Sequence, residues 1–105
     1  MKHQKVEQRN ECIDYFKKCP VWKRVFTGFR DKYLSYGRFA GKIVIKKLSA
    51  EEIEELEGFF GQNFHGQRSV TISAEKFAKA LADSRFKEIQ PLEILTGYFG
   101  MPLYA

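Results

Sequence analysis

Ser49 constrains this chain more than any other residue, because it stands where a strand must stop and a helix must begin. In GKIVIKKLSAEEIEELEGFFG, Gly41 to Gly61, the residues from Lys42 to Leu48 alternate. Ile43 and Ile45 share one face and Val44 and Lys46 the other, which is the period of a half-buried strand. The Ser49 hydroxyl can accept an orphan backbone N–H of the next helix, and Glu52, three residues on, can reach back to the Ser49 N–H in a capping box. Leu48 and Ile53 hold the hydrophobic-staple positions on either side of the cap. Glu51 and Glu52 suit the positive end of the helix dipole. Ile53, Leu56, Phe59 and Phe60 form the apolar stripe, and Gly61 is a left-handed terminator.

The same logic recurs in RSVTISAEKFAKALADSRF, Arg68 to Phe86. Val70 and Ile72 alternate with Ser69 and Thr71, Ser73 takes the cap position, and Ile72 with Phe77 repeats the staple spacing. Lys76 stands where the box carboxylate would be, so half of the device survives. Phe77, Ala80, Leu81 and Phe86 supply the stripe. Two copies are too few for a solenoid, and the rest of the chain shows no third.

Elsewhere the pattern is helical. Val6 to Lys18 gives a short amphipathic stretch with Ile13 and Phe16 inward, and Cys19-Pro20 marks a break. From Pro20 to Tyr36, the spacing of Trp22, Phe26, Phe29 and Tyr33 places four aromatics along one side of a helix that Gly37 ends. Base stacking and core packing both use such a stripe, and the helical spacing favours the core. Pro91 to Phe99 forms a last helix with Leu92, Leu95 and Phe99 on one face and Gly100-Met101-Pro102 as its stop. The expected fold is α+β, a small, mostly helical domain in the order helix, helix, strand, helix, strand, helix, helix. Whether the strands pair parallel or antiparallel stays open at this level.

A chain of 105 residues with ten Phe, five Tyr and one Trp fits one domain with a workable core. Residues 1–105 are therefore read as a single domain, with 1–15 open to fraying. No apolar run is long enough to cross a bilayer, and MKHQKVEQRNE lacks the apolar region of a signal peptide, so a cytoplasmic address is expected. Cys12 and Cys19 on one helix would stand roughly 10 Å apart, too far for a disulfide. Reduced structural thiols are expected.

Charge changes sign at the Ser49 cap. Residues 1–48 carry thirteen Lys and Arg against four Asp and Glu, whereas residues 49–105 carry five against nine. The basic half supplies Lys23, Arg24, Arg30, Arg38, Lys42, Lys46 and Lys47 as candidate phosphate contacts, which would make DNA binding steeply salt-dependent. A solvated surface, or pairing with the acidic helix Glu51 to Glu57, is the alternative use of the same charges.

No active site assembles. GRFAGK, Gly37 to Lys42, has one residue too few between its glycines for a phosphate loop, and a strand follows it where a helix is required. GFFG, Gly58 to Gly61, matches a GxxG clamp in letters, but Phe59 and Phe60 belong to an inward stripe. His3, His65, Cys12 and Cys19 are too scattered for zinc. His65 reads as a loop residue. The carboxylates at 51, 52, 54, 55 and 57 read as a solvated helix face. Catalytic, cofactor and metal residues are all expected to be absent.

The order VIKKLSAEEIEELEGFFG, SVTISAEKFAKALADSRF, PLEILTGYFGMPL resembles the N-terminal region of a bacterial family of uncharacterised proteins. Its members continue into a C-terminal Toprim-like domain and are encoded beside an SMC-like ATPase and two accessory subunits, in type II Wadjet plasmid-defence cassettes. The resemblance spans roughly Phe16 to Leu103, on motifs that are structural. It implies that the chain is the N-terminal part of a longer nuclease-like subunit whose metal-binding carboxylates lie downstream, and it brings no catalytic position onto these residues. The function expected is a non-catalytic accessory domain that binds double-stranded DNA or positions the nuclease. The alternative is a module that docks sibling subunits of the SMC-like complex without touching nucleic acid. Neither a membrane nor a particular oligomeric state is implied.

Overall fold

A computed structural model describes residues 2–100, with side chains from residue 5 onward. Its elements are α1 (Lys2–Lys17), α2 (Val21–Tyr36), β1 (Lys42–Ile45), α3 (Ala50–Phe60), β2 (Val70–Ser73), α4 (Ala74–Ala82) and α5 (Pro91–Phe99). The order is the α+β succession that the sequence predicts. Helix α1 starts four residues ahead of the Val6 boundary and runs through the stretch open to fraying. Met101 and Pro102, part of the expected stop after α5, lie outside the described residues, whereas Gly100 caps the helix in the left-handed region at φ 64°.

Caps explain the element boundaries. Ser49 Oγ accepts the Glu52 N–H at 3.1 Å and Glu52 Oε1 accepts the Ser49 N–H at 2.9 Å, so the box is complete. Ser73 Oγ accepts the Lys76 N–H at 2.9 Å with no reciprocal bond, the half-device expected from Lys76. Helix α5 gains a box that the sequence reading missed, in which the Gln90 N–H donates to Glu93 Oε2 at 2.8 Å. Strand β1 ends at Ile45, three residues before the alternation does, because Lys47 turns into the left-handed region at φ 55°.

The strands pair antiparallel, in the register Lys42↔Ser73, Ile43↔Ile72, Val44↔Thr71 and Ile45↔Val70. Helix α3 lies within the connection between them. The ladder is prolonged at both ends, by Ala74 N–H to Gly41 O at 2.8 Å and by Leu48 N–H to Arg68 O at 3.0 Å. Ile43, Ile45, Val70 and Ile72 face the core while Lys42, Val44 and Thr71 face solvent.

The core is aromatic. Phe16 of α1 meets Trp22 at 4.8 Å and Phe26 at 5.0 Å edge-to-face. Phe77 of α4 meets Phe26 at 5.6 Å and stacks on Phe59 at 5.8 Å. Trp22, Phe26, Phe29 and Tyr33 are all buried, so the α2 stripe is core. Buried Val21 and Val25 widen it, and buried Phe64 and Ile89 add contacts from the loops. On α5 the deepest residues are Ile94 and Leu95, with Leu92 and Phe99 only partly covered. That shift follows from α1 lying against Gly97, where Ile13 Cδ1 occupies the space a Cβ would need. Helix α2 meets β1 in the same manner. A Cβ on Gly28 would come within 2.8 Å of Ile43 Cγ2, so the helix rides directly on the strand.

Candidate nucleic-acid interface

The seven basic candidates divide by what they already touch. Arg24 is committed within the fold. Its guanidinium pairs with Glu52 at 3.3 Å and also donates to the Lys46 carbonyl, joining α2 to the turn after β1 and to the first turn of α3. Arg30 lies over the Phe99 ring at 4.6 Å and is 3.7 Å from Asp31, which ties it to α5. Lys23, Arg38, Lys42, Lys46 and Lys47 are exposed and make no salt bridge among the described residues.

Four of those five follow one another along the loop into β1, the strand, and the turn beyond it. Lys42 projects from the solvent face of the strand pair, and Lys46 and Lys47 continue it on the αL turn. That turn is held from two sides. Arg24 takes the Lys46 carbonyl, and Arg68 Nη1 donates to the Leu48 carbonyl at 3.2 Å. Arg68 thus brings a further cation beside the lysine pair from the acidic half of the sequence. The sequence reading missed it. Its signal was the antiparallel register, which carries Arg68 back alongside Lys47 and is not visible from one strand alone.

The acidic helix is tied inward as well. Glu55 Oε2 accepts the Tyr15 hydroxyl at 2.9 Å and the Trp22 indole N–H at 3.0 Å. It is therefore no part of a solvated face but a junction of α1, α2 and α3. Glu57 Oε2 accepts the Phe64 N–H at 2.8 Å and orders the loop after α3. The Ser49 N–H, with help from Arg24, holds the Glu52 carboxyl below its usual range against a partial burial that works the other way. Burial, then the bond to Glu55, pushes the Tyr15 phenol up to about 12. Burial likewise pushes the Cys12 thiol up to about 12. Both cysteines are free. Lys76 lies 5.3 Å and 5.5 Å from the Phe60 and Phe64 rings, and its burial lowers the ammonium pKa.

Two adjoining surface grooves, of about 450 and 360 Å³, share Tyr15, Gly58 and Phe59. Arg85 lines the first, and Glu51 and Glu54 line the second. Among the described residues no three His, Cys, Asp or Glu side chains gather where a metal could sit. No described helix is long and apolar enough to cross a membrane. His65 sits at φ 54° in an exposed loop.

No curated protein and no solved structure matches the chain. A family match does exist, and it covers β1 to α5 while leaving out α1 and α2, whose aromatics complete the same core. Over residues 39–105 the chain matches the family described as "Protein of unknown function N-terminus (DUF3323)", and it belongs to that family.

Proposed function

We propose that this chain is a non-catalytic, DNA-contacting N-terminal domain of a larger bacterial nuclease-like subunit. The observation that carries the reading is the run Arg38, Lys42, Lys46 and Lys47 along one strand and its flanks, exposed and without salt bridges among the described residues. Four such cations along the ribbon and its flanks can neutralise phosphates together. The nuclease context rests on the resemblance to the type II Wadjet subunits with a C-terminal Toprim-like domain, and with it come a cytoplasmic address and an SMC-like partner complex. Arg24 and Arg30 act as braces within the domain and leave the phosphate contacts to the other cations.

A second reading, docking of a sibling subunit, is favoured by the groove shared by Tyr15, Gly58 and Phe59, with Glu51 and Glu54 on its acidic side. It uses a different surface, so the two functions can coexist.

Fluorescence anisotropy with a labelled duplex tests the first reading. Binding should weaken with a slope of log K against log salt between about −3 and −4, as expected for four neutralised phosphates. Reversing Lys42, Lys46 and Lys47 to Glu should abolish it. No binding at low salt, or binding indifferent to the reversal, sinks the proposal. For docking, the measurement is co-purification of the full-length subunit with and without this domain, and equal incorporation counts against it.

A further inference from the structure

We infer that the solvent face of the β1–β2 ribbon enters the major groove of duplex DNA, with Val44 and Thr71 against base edges and Arg38, Lys42, Lys46 and Lys47 on the flanking phosphates. The inference rests on the DNA-binding reading above and adds to it a groove and an orientation.

The first support is an unexplained side chain. Val44 is 55% exposed on the outward face, directly opposite Thr71, while its neighbours Ile43 and Ile45 supply the strand's share of the core. It is one of four large apolar side chains exposed among the described residues, and the one that lies on the ribbon. An apolar branched side chain beside a threonine methyl suits the thymine methyl groups that line the major groove.

Dimensions and charge agree. Each strand has four residues, about 13 Å in length, and the two lie about 4.8 Å apart. A major groove about 12 Å wide admits a two-stranded ribbon of this kind. Neither KIVI nor VTIS contains a carboxylate. Beyond the β1 end of the ribbon the nearest acidic pair is Glu51 and Glu52, and Glu52 is already held by Arg24. The charge therefore turns negative just past Lys47, which limits the duplex to the ribbon side.

The ribbon is also set in advance of binding. Ala74 to Gly41 closes one end, and Leu48 to Arg68, together with the Arg68 guanidinium on the Leu48 carbonyl, closes the other. Arg24 fixes the Lys46 carbonyl. A side-on approach to the phosphates alone would need the lysines and leave Val44 without a role.

The test uses the whole chain and two duplexes of one sequence, one plain and one whose cytosines carry bulky glucosylated 5-hydroxymethyl groups. These fill the major groove and leave the phosphates unchanged. Binding to the modified duplex should fall by about tenfold or more. Val44→Trp, tolerated on an exposed strand face, should cause a similar loss on plain DNA, whereas Leu34→Trp on the exposed side of α2 should not. Equal affinity for the two duplexes, with loss on lysine reversal, would overturn groove entry and leave DNA binding standing. Failure of the unaltered chain to bind either duplex removes both readings. The duplex comparison needs no variant, so it decides the matter even where Val44→Trp fails to fold.

Discussion

The indole N–H of Trp22 donates to Glu55 Oε2 at 3.0 Å, and the same oxygen receives the Tyr15 hydroxyl at 2.9 Å. One carboxylate oxygen thus satisfies the polar edges of two aromatics whose ring bodies belong to the core. A chain with so many large rings must find partners for the few that carry a donor, and here α3 supplies a single shared acceptor.

Removing that acceptor leaves two donors short of a partner. We expect Glu55→Ala to cost about 1–2 kcal/mol in urea unfolding, the lower part of the range for orphaned groups because the site is half-buried. Glu55→Gln, which keeps a carbonyl oxygen in place, should lose less. Equal losses in the two variants would show that a neutral amide oxygen cannot replace the carboxylate as the shared acceptor.

Two glycines inside helices should respond to alanine with opposite signs. At Gly28 a Cβ would lie 2.8 Å from Ile43 Cγ2, and a β-branched strand residue turns away poorly. The strain outweighs the helix propensity gained, so Gly28→Ala should destabilise by about 1–2 kcal/mol. At Gly58 a Cβ meets nothing within 4 Å, so Gly58→Ala should stabilise by about 0.5–1 kcal/mol. Thermal melts of the two variants, read against the unaltered chain, check both signs.

Stability should decline on the alkaline side. Tyr15 and Cys12 have folded pKa values raised from 10.0 and 9.0 to about 12, so each is held neutral by the fold. Their contributions are fully present below pH 9 and are lost as pH rises toward 12, because the unfolded chain gives up these protons first. Urea midpoints taken between pH 8 and 11.5 should therefore fall, and Tyr15→Phe should flatten the later part of that decline. Over the same range a thiol reagent should modify partly exposed Cys19 before buried Cys12.

Ser49→Ala should cost more than Ser73→Ala. Each removes an acceptor for a backbone N–H, worth about 1 kcal/mol. The Ser49 change keeps the backbone N–H that Glu52 accepts but removes the hydroxyl's smaller hold on that carboxylate, which pairs with Arg24. The contribution of the Glu52 carboxylate, whose pKa the fold lowers, is present above its ordinary value of 4.5 and is lost as pH falls through the lowered one. The gap between the two serine variants should accordingly narrow in acid. A gap that stays constant with pH would separate the cap from the ion pair.

What could be read from the sequence was local. The Ser49 box, the half-cap at Ser73, the left-handed Gly37, Gly61 and Gly100, and the α2 aromatic stripe all depend on residues within a turn or two of each other. What could not be read was set by residues distant in the chain. The antiparallel pairing depends on where α3 packs, and the burial of Ile94 in place of a Leu92 and Phe99 face depends on α1 meeting Gly97. The basic candidates divided for the same reason. Arg24 and Lys23 are neighbours in sequence, yet only Arg24 reaches Glu52, twenty-eight positions away. Arg68 could not be added to the candidates until a register existed.

Because α3 sits inside the connection between the two strands, the ribbon can form only by closing a loop around a helix. The cost of that closure falls once the Ser49 cap has nucleated α3 and shortened the free chain. Strand pairing is thereby favoured once α3 has formed. The surface that carries the lysines would thus be kept in shape by a helix of opposite charge, and the folding order would couple the two halves of the chain.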